Sequence, residues 1–246
     1  MRRITAFLIA ALCAACLFAQ AAGEQSSSFV ASTTWTASYA DLAGVDDITV
    51  IAPSTLRHPP EYELVPSDIV TIQNADFFVS AGYERMMTTI QEGIPSEDRV
   101  DIHISTGNSL DNVIAQAELI ASYTGTTPRY EDYAALIEDA RSQVAQLGLG
   151  ELRVFCQGML SSPAQDIGLN VTGTFSGELT PSQIEAVAAG EYDLVIDNYH
   201  NPSSAVLEDV APCPIIMWRN FPAEEGRGAL VDMVGQNIRS LVELYD

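Results

Sequence analysis

The sequence predicts an α/β protein of two lobes, each a mainly parallel sheet with flanking helices, joined by one long helix. Two observations carry that prediction. Strand and helix signals alternate along nearly the whole chain, which requires crossover connections and hence parallel pairing. One stretch, 128–147, has no breaker and divides the alternation in two. A third observation makes the prediction affordable: 47% of the 246 residues are hydrophobic, enough for real cores, and Gly and Pro counts are ordinary, so disorder and collagen-like repeats are excluded.

In the first half, Phe29 to Thr33 reads as a strand, Trp35 to Leu42 as a helix and Asp47 to Ala52 as a strand followed by a Pro-rich loop. Pro66 opens a helix whose body is Ile69 to Asn74. Asp76 to Ser80 is a strand, Tyr83 to Gln91 a helix, Arg99 to Ser105 a strand, and Asn108 or Ser109 caps a helix from Leu110 to Tyr123. Pro128 suits the first turn of the long helix. Tyr133, Leu136, Ile137, Ala140, Val144 and Leu147 then recur at three- and four-residue steps until Gly148 and Gly150 end it.

Alternation restarts with strand Leu152 to Cys156, helix Pro163 to Ile167 and strand Val171 to Phe175. A helix begins at Pro181 with Thr180 as its cap, Tyr192 to Ile196 is a short buried strand and Ser203 to Val210 a helix. Pro214 to Trp218 is the last strand and Arg227 to Leu244 the last helix. The expected domains are 27–126, the linking helix 128–148, and 150–246. Ligands of open α/β sheets sit beyond the carboxyl ends of the strands, so the cleft between paired lobes is the expected site.

Thirty-three acidic side chains against eleven basic ones give a formal charge of -22, which argues against nucleic acid as a partner. All eleven basic residues are arginine. Arg2 and Arg3 precede an apolar run from Ala6 to Phe18, and Ala19-Gln20-Ala21 offers small residues where a signal peptidase cuts. Residues 1–21 are thus expected to be an export signal; the run is shorter than the ~20 residues of a spanning helix. Cys16 is the alternative, a lipid-anchor site, although Cys13 stands where a lipoprotein signal carries leucine. In an oxidising compartment Cys156 and Cys213 could bridge or stay buried thiols, and the bridge is the expectation. Asn170-Val171-Thr172 is a glycosylation sequon.

Certain motifs are similar to those of a known family. They are Val30-Ala31-Ser32-Thr33-Thr34-Trp35, then Glu61-Tyr62-Glu63-Leu64-Val65-Pro66-Ser67-Asp68, then Asn74-Ala75-Asp76 and Ala81-Gly82-Tyr83-Glu84. In this order the chain resembles the metal-binding solute receptors of ABC importers, which deliver zinc, manganese or iron to a membrane permease. The resemblance implies two lobes on a rigid helix, one divalent ion between them as cargo, no organic cofactor and no catalysis. The implied partners are that ion and an ABC permease, with the receptor itself a monomer outside the cytoplasmic membrane.

The chain's three histidines, His58, His103 and His200, each lie in or just after a strand that ends toward the expected cleft, and imidazole suits such metals. These three with Asp197 are the expected ligands, and Gln157, Asn198, Tyr62 and Trp35 are further donors or cleft lining. The family pattern is broken in places. Its first ligand, two residues before the Tyr-Glu pair, is Pro60 here, and His58 fits only with two residues inserted. Its third ligand, eleven residues before Gly168, is Gln157; its fourth, an acid, falls on Asn198, with Asp197 one place earlier. A chelated metal or a small organic ligand in the same fold is the alternative cargo. A zinc hydrolase has least support, since no base accompanies the histidines, and no Gly-x-Ser-x-Gly turn, phosphate loop or His-Glu-x-x-His helix occurs.

Overall fold

A computed structural model describes residues 27–246, and the expected export signal and Cys16 lie outside the described residues. Two four-stranded sheets form, and all six strand pairings are parallel. The first has the order β2-β1-β3-β4, with β1 Phe29–Ala31, β2 Ile48–Val50, β3 Phe77–Ser80 and β4 Val100–His103. The second has the order β6-β5-β7-β8, with β5 Arg153–Gln157, β6 Asn170–Phe175, β7 Leu194–Asn198 and β8 Ile215–Trp218. The helices are α1 Thr34–Leu42, α2 Pro66–Gln73, α3 Met86–Gly93, α4 Leu110–Thr124, α5 Glu131–Gln146, α6 Gly158–Asp166, α7 Pro181–Ala188 and α8 Ala229–Tyr245. In each sheet the strand order reverses beside the first strand, which places a crevice at the carboxyl ends.

One hydrophobic core runs through both halves. It takes in Ala31 and Val79 of the first sheet, the inner face of α5 (Tyr133, Ile137, Ala140, Val144) and Val154 and Ile196 of the second. Two smaller cores close the outer faces of the sheets, around Phe78 and Met86 in the first half and around Phe155 and Val195 in the second. The linking helix is therefore buried against both halves.

That helix begins at Glu131, three residues later than Pro128 suggests. The segment before it is pinned to the first half. Arg129 donates to Asp41 Oδ1 at 2.7 Å and Asp46 Oδ1 at 2.6 Å, and to the carbonyls of Asp41 and Val45 at 2.8 Å. Gly44, at φ +91°, lies where a Cβ would sit 2.2 Å from the Thr127 carbonyl oxygen, so only glycine lets the linker pass this close. Asp41 also accepts from the Gly228 amide at 2.8 Å, just ahead of α8, so one carboxylate ties α1, the linker and the last helix together.

Three further expectations are corrected. The helix expected over Ser203 to Val210 is only a short 3-10 turn, Ser204–Leu207, in which the Glu208 and Val210 amides bond back three residues to the Ala205 and Leu207 carbonyls while Asp197 caps its start. The helix expected from Pro163 starts five residues earlier, since the Gln157 side chain caps it by accepting from the Met159 amide at 2.8 Å. Cys156 and Cys213 are both free thiols. Cys156 is level with Ile196, which is level with Ile216, so Cys213 lies two strands across and three residues toward the opposite end of the sheet. At about 4.8 Å per strand that exceeds the reach of a disulfide. Burial, with Asp197 nearby, pushes the Cys156 thiol up to about 12.

Asp41→Ala should lower unfolding free energy by ~2 kcal/mol, because the side chain is 8% exposed and its loss leaves the Gly228 amide without its acceptor and removes one of the two carboxylates on Arg129. Glu138→Ala, which removes an exposed ion pair to Arg141, should change it by less than ~0.5 kcal/mol. Urea denaturation of the two variants reads the difference, and equal losses would contradict this assignment.

Candidate functional site

The carboxyl ends of β2, β7 and β8 open into loops that face one another across the two halves. Between them lies a cavity of about 720 Å³, lined from the first half by 54–57 and from the second by Tyr199, His200, Arg219 and Phe221 among others. Arg57 reaches across and donates to the Tyr199 carbonyl at 3.4 Å. The Arg219 guanidinium stacks over the Tyr199 ring, 3.8 Å from its centroid.

Beneath this cavity the halves are joined by a buried polar chain. Trp35 Nε1 donates to Asn108 Oδ1 at 3.0 Å, Asn108 Nδ2 donates to the Asn220 carbonyl at 2.7 Å, and Asn220 Oδ1 accepts from His200 Nδ1 at 2.7 Å. Tyr133 of the linking helix donates to the Asn108 carbonyl at 2.5 Å. Thr34 Oγ1 adds a bond to the Pro222 carbonyl at 2.8 Å, and Phe221 packs between the Trp35 ring, 5.8 Å away, and the His200 ring, 3.5 Å away. Asn108, Trp35, His200 and Asn220 are all buried.

His200 is 4% exposed; Asn220 takes its Nδ1–H, Phe221 covers its face, and Nε2 lies 3.5 Å from the Arg219 guanidinium. Burial, assisted by the charges of Arg219, His58 and Arg57, drives its pKa down to about 4. Asp197 is fully buried and accepts three backbone amides at 2.7 Å, from Asn198, Ser203 and Ser204. Its carboxylate shapes the loop that carries His200. Asn198 accepts the His200 amide at 3.0 Å. Gln157 caps α6 and is buried.

His103 ends β4 with an exposed ring whose Nδ1 is 2.9 Å from Ser80 Oγ, and His58 stands exposed in the loop before the short turn at Pro59. Among the described residues, no three His, Cys, Asp or Glu side chains are placed so that they could hold one metal ion. Trp35 lies at the seam between the halves. Tyr62 does not line the cavity: it packs on the outer core of the first half and donates to Asp68 Oδ2 at 2.9 Å.

Sequence reasoning missed Asn108 as a hub, although Asn108 before a helix reads as a cap, and missed Asn220, Arg57 and Arg219 altogether. Their only sequence signal is that Asn220 and Arg219 directly follow the last strand, where site residues of parallel sheets collect.

No family model matches the chain, and no curated protein sequence matches it. Solved structures do. The substrate-binding protein FpvC of Pseudomonas aeruginosa in complex with Mn2+ is similar with a TM-score of 0.64 at 17% identity, over 90% of this chain and 99% of that one. A Cd-bound periplasmic metal-binding protein of Candidatus Liberibacter asiaticus gives 0.62 at 13% identity, over 89% and 100%. The metal-dependent lipoprotein YcdH of Bacillus subtilis gives 0.62 at 13% identity, over 88% and 98%. The chain therefore has the two-lobed fold of metal-binding solute-binding proteins.

The depressed His200 has a stability consequence. An unfolded histidine titrates near 6.5, so between pH 6.5 and 4 the unfolded chain takes up a proton that the folded chain refuses. Stability contributed by neutral His200 is complete above that window and is lost as pH falls through it. In His200→Gln, the fall in unfolding free energy from pH 6.5 to 4.5 should be about 2 kcal/mol smaller than in the parent. An unchanged fall, measured by urea denaturation at both pH values, would contradict a buried neutral imidazole.

Proposed function

We propose that this chain is the exported, non-enzymatic, monomeric solute receptor of an ABC importer, and that it carries a metal in the cleft between its lobes to a membrane permease. The observation that carries this reading is the cavity framed by the carboxyl ends of strands from both halves, with Arg57 bridging to the Tyr199 carbonyl. The fold of Mn-, Ni- and Cd-bound solute-binding proteins supports the class of cargo. Among the described residues no helix is long and apolar enough to cross a membrane.

A metal can reach such a cleft bare, as zinc or manganese, or carried by a chelator. For a bare ion His58 and His103 are the available imidazoles, whereas His200 and Asp197 are committed to the fold. A cavity of about 720 Å³ is in the range of small-molecule sites and far larger than the ~2 Å ligand shell of one ion. These two observations favour the chelate.

Isothermal titration with zinc and manganese at pH 7.5 and 5.5 separates the forms. The expected result is weak binding at most, abolished at the lower pH and in His103→Ala, as protons compete for exposed imidazole. Tight one-to-one binding that is lost in both His103→Ala and His200→Ala would contradict the chelate form and restore the three-histidine site.

A further inference from the structure

The charge distribution points to what the cavity recognises. The described chain carries nine arginines, because Arg2 and Arg3 precede it. Arg85, Arg99, Arg129, Arg141 and Arg153 are in ion pairs with carboxylates. Arg57, Arg219, Arg227 and Arg239 are in none of these pairs, and of these four Arg57 and Arg219 line the cavity of about 720 Å³ between the lobes, one from each side. In a chain with three times as many acids as bases, two guanidinium groups without a carboxylate partner at one place create a local positive field within an anionic surface.

Their remaining bonds leave most donors free. Arg57 makes a single long contact, to the Tyr199 carbonyl at 3.4 Å; Arg219 uses its planar face on Tyr199 and has one edge contact, 3.5 Å from His200 Nε2. Each guanidinium has five N–H donors in a fork that matches a carboxylate. His200, held neutral, adds no charge but its nitrogen faces the same space, and Glu208 is the one carboxylate of the lining.

We propose that this cavity is an anion-recognition site, in which Arg57 from the first lobe and Arg219 from the second grip carboxylates of the cargo. The cargo is then a small polycarboxylate, either free or as the shell of a chelated metal. The proposal rests on the receptor reading given above and names its ligand class. A ligand gripped by one arginine from each lobe would also hold the lobes in register.

Calorimetric titration of the mature chain with citrate and with ferric citrate tests it. One-to-one binding of at least one of them is expected, weakened about tenfold or more in Arg57→Gln and in Arg219→Gln, and tightened in Glu208→Gln. The last variant removes repulsion and cannot mimic misfolding. Ferric citrate alone binding assigns the metal chelate; citrate binding equally well assigns the organic anion. No binding of either at about 5 mM, or affinity unchanged in both arginine variants, overturns the proposal. If the same variants take up zinc one-to-one as the parent does while ignoring citrate, the receptor reading survives and this inference fails. If citrate binds through the arginines but the protein supports no uptake in importer-bearing cells, the inference survives and the receptor reading fails.

Discussion

The buried chain of hydrogen bonds through Asn108 is the constraint on which the rest of the molecule depends. Its side-chain carbonyl takes the Trp35 indole, its amide reaches the Asn220 carbonyl, and its backbone carbonyl takes the Tyr133 hydroxyl. One residue thereby satisfies a donor from the first lobe, an acceptor of the second and a donor of the linking helix. A buried polar network of this kind tolerates little displacement, because any member left without its partner costs the full desolvation of that group. The lobes are held at one spacing, and a cavity of about 720 Å³ is left above the seam.

The same chain decides the chemistry of the cleft. It ends on His200, whose Nδ1–H is given to Asn220 and whose ring is sandwiched on Phe221. An imidazole used this way serves the architecture. Asp197, read from sequence as an oxygen donor, is likewise occupied, by three amides of the loop that presents His200. With those two committed, the charged and aromatic side chains left toward the cavity are Arg57, Arg219, Glu208, Tyr199 and Phe221, two cations against one acid. Such a lining favours carboxylates over a bare cation, in a protein otherwise strongly acidic.

The fold was legible because its signals are local and repeated. The three- and four-residue recurrence of the linking helix, Thr180 as a cap and Pro181 at a first helical position each translate directly into backbone geometry, and the structure has them. The misplaced boundaries follow from side-chain contacts that periodicity does not encode: Gln157 caps α6 ahead of Pro163, and Arg129 pins the linker before α5. Site legibility was lower for the same reason. That His58, His103 and His200 lie near strand ends could be read, but whether a ring points to solvent or into a seam depends on partners such as Asn220 and Phe221, which no spacing encodes. The bridge between Cys156 and Cys213 failed on strand direction, since parallel pairing sends the end of β5 and the start of β8 to opposite edges of the sheet.

Long-range proton–nitrogen correlation of the three histidine rings, recorded against pH and against added zinc, tests the central claim most directly. His200 is expected to be the Nδ1–H tautomer, to stay neutral down to about pH 4 and to keep its shifts when one equivalent of zinc is added. A His200 ring that titrates near 6.5, or that moves together with both other rings at one equivalent of zinc, would contradict it.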